Sequence, residues 1–299
     1  MFNAHRTQQF SLYNQTRDYL IKNPSKLIDL ERFISKEVEK LIVQNIKVIE
    51  KEYNEASYLF PFWQSYPPDE RGRAPKGDQY PWIEVGEHSI GIKLGRLLEK
   101  KFNVRDFGLP TGADQRLFLQ SPEIDEILSI KNSAAWLFAD IKSVGPRDDA
   151  DHAVMSHNQI SGDGIWKDIN KGITNTILTA KGARTEHPFH CSIPPIYVLS
   201  DGRIAPMINV VVKPVYEMLS LSTNQSGQPL KRISLATIPN GLLLTVNPNY
   251  LNQYPGILFP GKDDKDKNPM KVRARVSFEL LRRIDSWRVK DIHVQAKLA

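Results

Sequence analysis

The stretch from Trp136 to Asp149, reading Trp-Leu-Phe-Ala-Asp-Ile-Lys-Ser-Val-Gly-Pro-Arg-Asp-Asp, constrains this chain more than any other. Its first seven residues read as a strand that begins apolar and ends charged. Residues two apart in a strand share a face, so Asp140 and Lys142 project together while Ile141 points the other way. Gly145 and Pro146 then stop the strand. A carboxylate and an ammonium at the mouth of a buried strand are costly unless they pair or bind something. A simple strand-end ion pair accounts for them. So does metal-assisted phosphodiester hydrolysis, in which the carboxylate holds a divalent cation and the lysine orients the attacking water.

A second acid tilts the choice. Asp114 lies in Leu109–Arg116 (Leu-Pro-Thr-Gly-Ala-Asp-Gln-Arg), a Pro/Gly turn leading into the apolar Leu117, Phe118 and Leu119. Magnesium usually takes one or two protein carboxylates and leaves its other positions to water and phosphate. The placement of charge points the same way. Of the net +6, an excess of five comes from residues 261–299, with eleven Lys/Arg against six Asp/Glu. These basic residues alternate with Val272, Val276, Phe278 and Leu280, so the segment reads as folded, and a folded basic surface suits a polyanion.

Other classes are disfavoured. No apolar run approaches the ~20 residues a membrane helix needs, and the first residues lack the apolar core of a signal peptide. Cys191 is the single cysteine, which excludes an intrachain disulfide and fits a reducing cytoplasm. His187, His190 and Cys191 fall short of the recurrent ligand spacing of a zinc site.

Along the chain, apolar residues at Leu27, Leu30, Ile34, Val38, Leu41, Ile42, Ile46 and Ile49 predict one long amphipathic helix over Ser25–Tyr53. Tyr58 to Gln79 is rich in aromatics and prolines and then in cations. Its aromatics read as anchors of a surface loop, and Arg71, Arg73 and Lys76 as candidates for DNA. Glu84 and Glu87 precede a helical spacing at Ile90, Leu94, Leu97 and Leu98. There they favour the helix dipole, or Glu87 serves as an outer acid of the metal site. Ser156 to Arg184 reads as a loop with short elements. Asp201-Gly202 and Asn240-Gly241, each between apolar runs, predict two β-hairpins. Lys262, Asp263 and Asp264 precede Arg273 and Arg275, which share one strand face. Guanidinium bonds both guanine acceptors and a carboxylate accepts from the cytosine amino group, so this segment has the chemistry to read G·C pairs. Acids that point to solvent or pair with the arginines explain it equally.

Asp114 followed by Asp140-Ile-Lys142 resembles the PD-(D/E)XK nuclease core. The longer runs Pro75-Lys-Gly-Asp-Gln-Tyr-Pro-Trp-Ile-Glu-Val-Gly-Glu87, Gly108-Leu-Pro-Thr-Gly112, Asp140-Ile-Lys-Ser-Val-Gly-Pro-Arg-Asp148 and Pro260-Gly-Lys-Asp-Asp264 resemble the BglI-type restriction endonucleases over nearly the whole chain. The resemblance implies Asp114, Asp140 and the Ile141 carbonyl as metal ligands, and Lys142 as the lysine that positions water. It also implies Lys262, Asp264, Arg273 and Arg275 on the major-groove recognition segment, with Asp148 near the DNA. The cation it implies is Mg²⁺, with Mn²⁺ as a substitute and Ca²⁺ binding without turnover. A homodimer on double-stranded DNA is implied, cutting GCC-N5-GGC with short 3′ overhangs, in a host carrying a cognate methyltransferase.

The expected fold is mixed α/β: a mixed sheet flanked by helices, a restriction-endonuclease-like core with a β-rich second half. Residues 1–299 are read as one domain with loop and hairpin insertions for recognition and dimerisation. Two rivals stand beside this reading, a structure-specific repair nuclease on the same core and a sequence-specific DNA-binding protein without catalysis.

Overall fold

The apolar run at Trp136 becomes β3 (Ala135–Ile141), every residue of which is buried. A strand covered on both faces reads as a continuous apolar run rather than an alternating one. The computed structural model describes residues 2–59, 86–106, 108–109, 112–145, 151–217, 229–261 and 272–294. Around β3 forms a mixed sheet in the order β1-β2-β3-β8-β9-β12, with β7 pairing onto β8. Its strands are β1 (Asn103–Asp106), β2 (Gln115–Gln120), β7 (Ile196–Val198), β8 (Ile204–Tyr216), β9 (Leu230–Ile238) and β12 (Val289–His293). β3 and β8 run parallel, and the other pairs are antiparallel.

Two smaller sheets stand beside it. β4 (His152–Met155), β10 (Leu258–Pro260) and β11 (Ala274–Ser277) form one, in the order β10-β11-β4, and β5 (Ile177–Lys181) with β6 (Glu186–His190) forms the other. The β-rich second half is thus present.

Helices cover the sheet. α2 (Pro24–Tyr58) is the expected amphipathic helix, one residue longer at its start and five at its end. Leu27, Leu30, Ile34, Val38, Leu41, Ile42, Ile49 and Tyr53 are all buried, as spacings of three and four require of a core-facing stripe. Two polar residues, Glu31 and Ser35, join them. Glu31 and Arg288 are both fully buried and meet at 2.8 Å, and Glu31 Oε1 accepts the Asn240 backbone N–H at 2.6 Å. α1 (Phe2–Lys22) lacks a regular apolar stripe and was not legible as a helix. Tyr13 and Leu20 bury, and side chains donate to backbone carbonyls distant in sequence: Arg17 to Asp163, Gln9 to Val198 and Tyr13 to Gly164.

The two predicted hairpins part company. Asp201-Gly202 closes the β7–β8 hairpin, with Gly202 at φ +81°, the left-handed conformation that glycine tolerates. Asn240-Gly241 does not make a turn between strands. β9 ends at Ile238, and Asn240 caps the short helix Gly241–Thr245 by accepting the Leu242 N–H. The Asn240 amide also donates to the carbonyls of Pro195 and Met207. Long-range bonds therefore override the local turn signal.

Candidate active site

The register of the sheet brings the two acids together. Gln115 pairs with Ala139 in the antiparallel β2–β3 ladder, so Asp114, one residue before β2, lies opposite Asp140. Asp114 Oδ2 accepts the Ile141 backbone N–H at 2.6 Å, which fixes its carboxylate one peptide from the Asp140 side chain. Asp140 is almost sealed, with 3% of its side chain exposed, whereas Lys142 keeps 30%. Lys142 Nζ lies 2.7 Å from Asp140 Oδ2. The predicted strand-face pairing of Asp140 and Lys142 is therefore present, and both the ion-pair reading and the catalytic one require it.

Two neighbouring segments complete the surroundings. β3 and β8 pair Phe138 with Asn209 and Asp140 with Val211, so Asn209 and Lys213 share the face of Asp140 and Lys142. Lys213 is 2% exposed. It donates to the His152 carbonyl at 3.0 Å and lies over the Phe278 ring at 5.6 Å. This ties β4, and through it the β10-β11-β4 sheet, to the strand beside the acids. The second segment is a loop that sequence reasoning left without a role. Gln159 Nε2 donates to Asp140 Oδ1 at 2.6 Å and to the Gly112 carbonyl at 2.9 Å. A lone amide in a polar loop carries no pattern that marks it, so nothing in the sequence pointed there.

Glu87 opens a π-helical turn, Glu87–Gly91, that leads into α3 (Ile92–Leu98) and packs against β3. A Cβ on Gly86 would lie 1.7 Å from Ser143 Oγ, and one on Gly91 would lie 3.3 Å from the Ile141 side chain. The turn therefore rests on the strand end that carries the acids. The side chain of Glu87 lies outside the described residues.

Arg273 and Arg275 occupy one face at β11: Arg273 is exposed and Arg275 half-buried, while Val272, Ala274 and Val276 are buried. Phe259 pairs with Arg275, and Arg275 with Val154. The Arg275 guanidinium lies against Gly261, where a Cβ would sit 1.3 Å from Nη1 and make the side chain shift. Arg73, Lys76, Asp148, Lys262 and Asp264 lie outside the described residues.

His187, His190 and Cys191 do not gather into a metal centre. Among the described residues no three His, Cys, Asp or Glu side chains converge as metal ligands. Cys191 is fully buried, and burial pushes its thiol up. The donors around Asp140 are of another kind. Two carboxylates, Asp114 and Asp140, stand beside the peptide of Ile141, an all-oxygen set that suits a hard divalent cation. Among the described residues, no helix is long and apolar enough to cross a membrane.

Comparison with known proteins identifies the family and the fold. The family model "Restriction endonuclease BglI" matches residues 8–292. The type II restriction enzyme BglI of Bacillus subtilis is 44% identical over 288 residues, which are 95% of this chain and 96% of that one. The crystal structure of the restriction endonuclease BglI bound to its DNA recognition sequence superposes with a TM-score of 0.90 at 44% identity, covering 98% of this chain and 99% of that one. The tetrameric restriction endonuclease SfiI bound to cognate DNA shares the fold at 15% identity and a TM-score of 0.61, over 91% of this chain and 85% of that one.

Proposed function

The chain belongs to the BglI restriction endonuclease family and is a type II site-specific deoxyribonuclease; from that premise we propose that it hydrolyses double-stranded DNA at GCC-N5-GGC. Cleavage depends on Mg²⁺ and leaves 3′ overhangs. The observation that carries the reading is the convergence of Asp114, Asp140 and Lys142 at one end of β3. Family membership sets aside the repair-nuclease and non-catalytic readings.

The Asp114 and Asp140 carboxylates and the Ile141 carbonyl would hold the cation. When bound, the cation supplies charge neutralisation on the phosphate and lowers the pKa of a bound water. Mn²⁺ substitutes and Ca²⁺ binds without turnover. The chain's own part is positional. Asp114 is locked by the Ile141 N–H, so its carboxylate needs no reorganisation as substrate arrives. Lys142, with its partly exposed ammonium at 2.7 Å from Asp140 Oδ2, reaches the solvent side, where it orients the attacking water towards the phosphorus. Glu87, on the turn packed against β3, is the outer acid of this site.

Recognition falls to the β10-β11-β4 sheet and its flanks. Arg273 and Arg275 address guanine edges, with Lys262 and Asp264 on the adjoining segment, and Arg73, Lys76 and Asp148 meet the DNA nearby. An interrupted palindrome has two-fold symmetry, which two copies of one chain match, so the working form is a homodimer. The chain is one domain and acts in the bacterial cytoplasm, where a cognate methyltransferase protects the host genome.

Digestion of a fully sequenced plasmid, with Mg²⁺ and with EDTA, followed by mapping of the ends, tests this. Metal-dependent cuts at GCC-N5-GGC are expected. Cuts at another fixed sequence would overturn the base-reading residues while leaving the acids and lysine, and metal-independent cutting would overturn the site.

A further inference from the structure

We propose that Gln159 is a positioning residue of the cleavage reaction, selecting which oxygen of Asp140 is presented to the divalent cation. The inference rests on the functional reading above. Asp140 has two oxygens, and the structure commits them differently: Oδ2 lies against Lys142 Nζ at 2.7 Å, and Oδ1 accepts from Gln159 Nε2 at 2.6 Å. A terminal amide nitrogen carries two protons. The second goes to the Gly112 carbonyl at 2.9 Å, in the turn that leads to Asp114. One side chain therefore joins the segments that supply both acids.

The amide is itself held. Gln159 Oε1 accepts the Ser156 N–H at 2.8 Å, a group that can only donate, so oxygen and nitrogen are assigned without ambiguity. The Gln159 carbonyl accepts from Asn209 Nδ2 at 2.5 Å, and Asn209 stands on β8 opposite Phe138. Gln159 is 7% exposed. Asn158 fits against the same turn only because residue 112 is glycine, since a Cβ there would meet its amide at 2.5 Å. A neutral donor also suits the task. It fixes Oδ1 without adding a positive charge that would compete with the cation. Groups that hold a ligand in this way typically change metal affinity about 10–100-fold when removed.

The test is Gln159→Met, which keeps length and loses both donors. Single-turnover cleavage of plasmid DNA across a Mg²⁺ titration should show the half-saturating Mg²⁺ raised about tenfold, with most of the rate recovered at saturation. The Ca²⁺ concentration needed for DNA binding should rise in parallel. A structural role alone predicts a lower Tm with both metal midpoints unchanged, and that result overturns the proposal. Gln159→Glu supplies a second readout in case Gln159→Met does not fold. It sets two carboxylates against each other, so Ca²⁺ should raise its Tm by more than it raises that of the wild type. A Ca²⁺ shift no larger than the wild type's overturns the proposal. A wild type indifferent to metal in all these assays instead refutes the functional reading itself.

Discussion

Asp140→Asn keeps the shape of the central carboxylate and removes its charge. For the fold, two effects of opposite sign follow. The ion pair to Lys142 is lost, but 30% of the Lys142 side chain is already exposed, so its ammonium returns to water. The loss is then about 1 kcal/mol, the scale of an exposed pair, rather than the roughly 3–5 kcal/mol of a sealed one. Against it, Asp114 is relieved of a neighbouring like charge, an effect of opposite sign. The new amide oxygen still accepts from Gln159. Stability should therefore stay within about 1 kcal/mol of the wild type, a Tm change of no more than about 3 °C. For the reaction, the proposed anionic ligand of the cation is gone. If about 4 kcal/mol of transition-state stabilisation goes with it, single-turnover cleavage falls about a thousandfold. The assays are a thermal melt, a gel-based cleavage time course in Mg²⁺ and a DNA-binding titration in Ca²⁺. Cleavage within tenfold of wild type would refute the assignment, and so would a collapse of Tm large enough to explain the loss by unfolding.

Three further outcomes are expected. Glu31→Gln leaves the fully buried Arg288 without its counter-charge and should lower unfolding free energy by about 3–5 kcal/mol in urea titrations, with part of the loss recovered by adding Arg288→Met. A hydrogen bond from Lys101 holds the Glu123 carboxyl down at about 2. Its stabilising contribution is thus complete above the ordinary carboxylate range and is lost as pH falls from there towards 2. Because both partners are partly exposed, the effect should be small, weakened by salt and reduced in Lys101→Met, as read from Tm against pH. Cys191, sealed in the core with its thiol pushed up by burial, should react with a thiol reagent only as the protein unfolds.

The parts of the fold that periodicity encodes were legible. The α2 stripe and the apolar start of β3 follow from which side chains must leave water, and of the eight predicted stripe residues all but the half-buried Ile46 are buried. The Asp201-Gly202 hairpin was legible because the turn is local. Asn240-Gly241 misled because its partners, Glu31, Pro195 and Met207, are distant in sequence. α1 was missed because it lacks a regular apolar stripe and side-chain bonds to segments distant in sequence help to hold it. At the site, Asp114, Asp140 and Lys142 formed a readable pattern because strand alternation and register decide which side chains meet. Gln159 and Asn209 had no such signal: their bonds exist only once β3, β8 and the loop are assembled.

The most direct test of the central claim is an anomalous difference map from crystals of the protein with an uncleaved duplex and Mn²⁺. The account expects a peak about 2.0–2.3 Å from the carboxylates of Asp114 and Asp140 and the carbonyl of Ile141, with Lys142 on the scissile-phosphate side. A peak held by other carboxylates, or a scissile phosphate out of reach of Lys142, would contradict it.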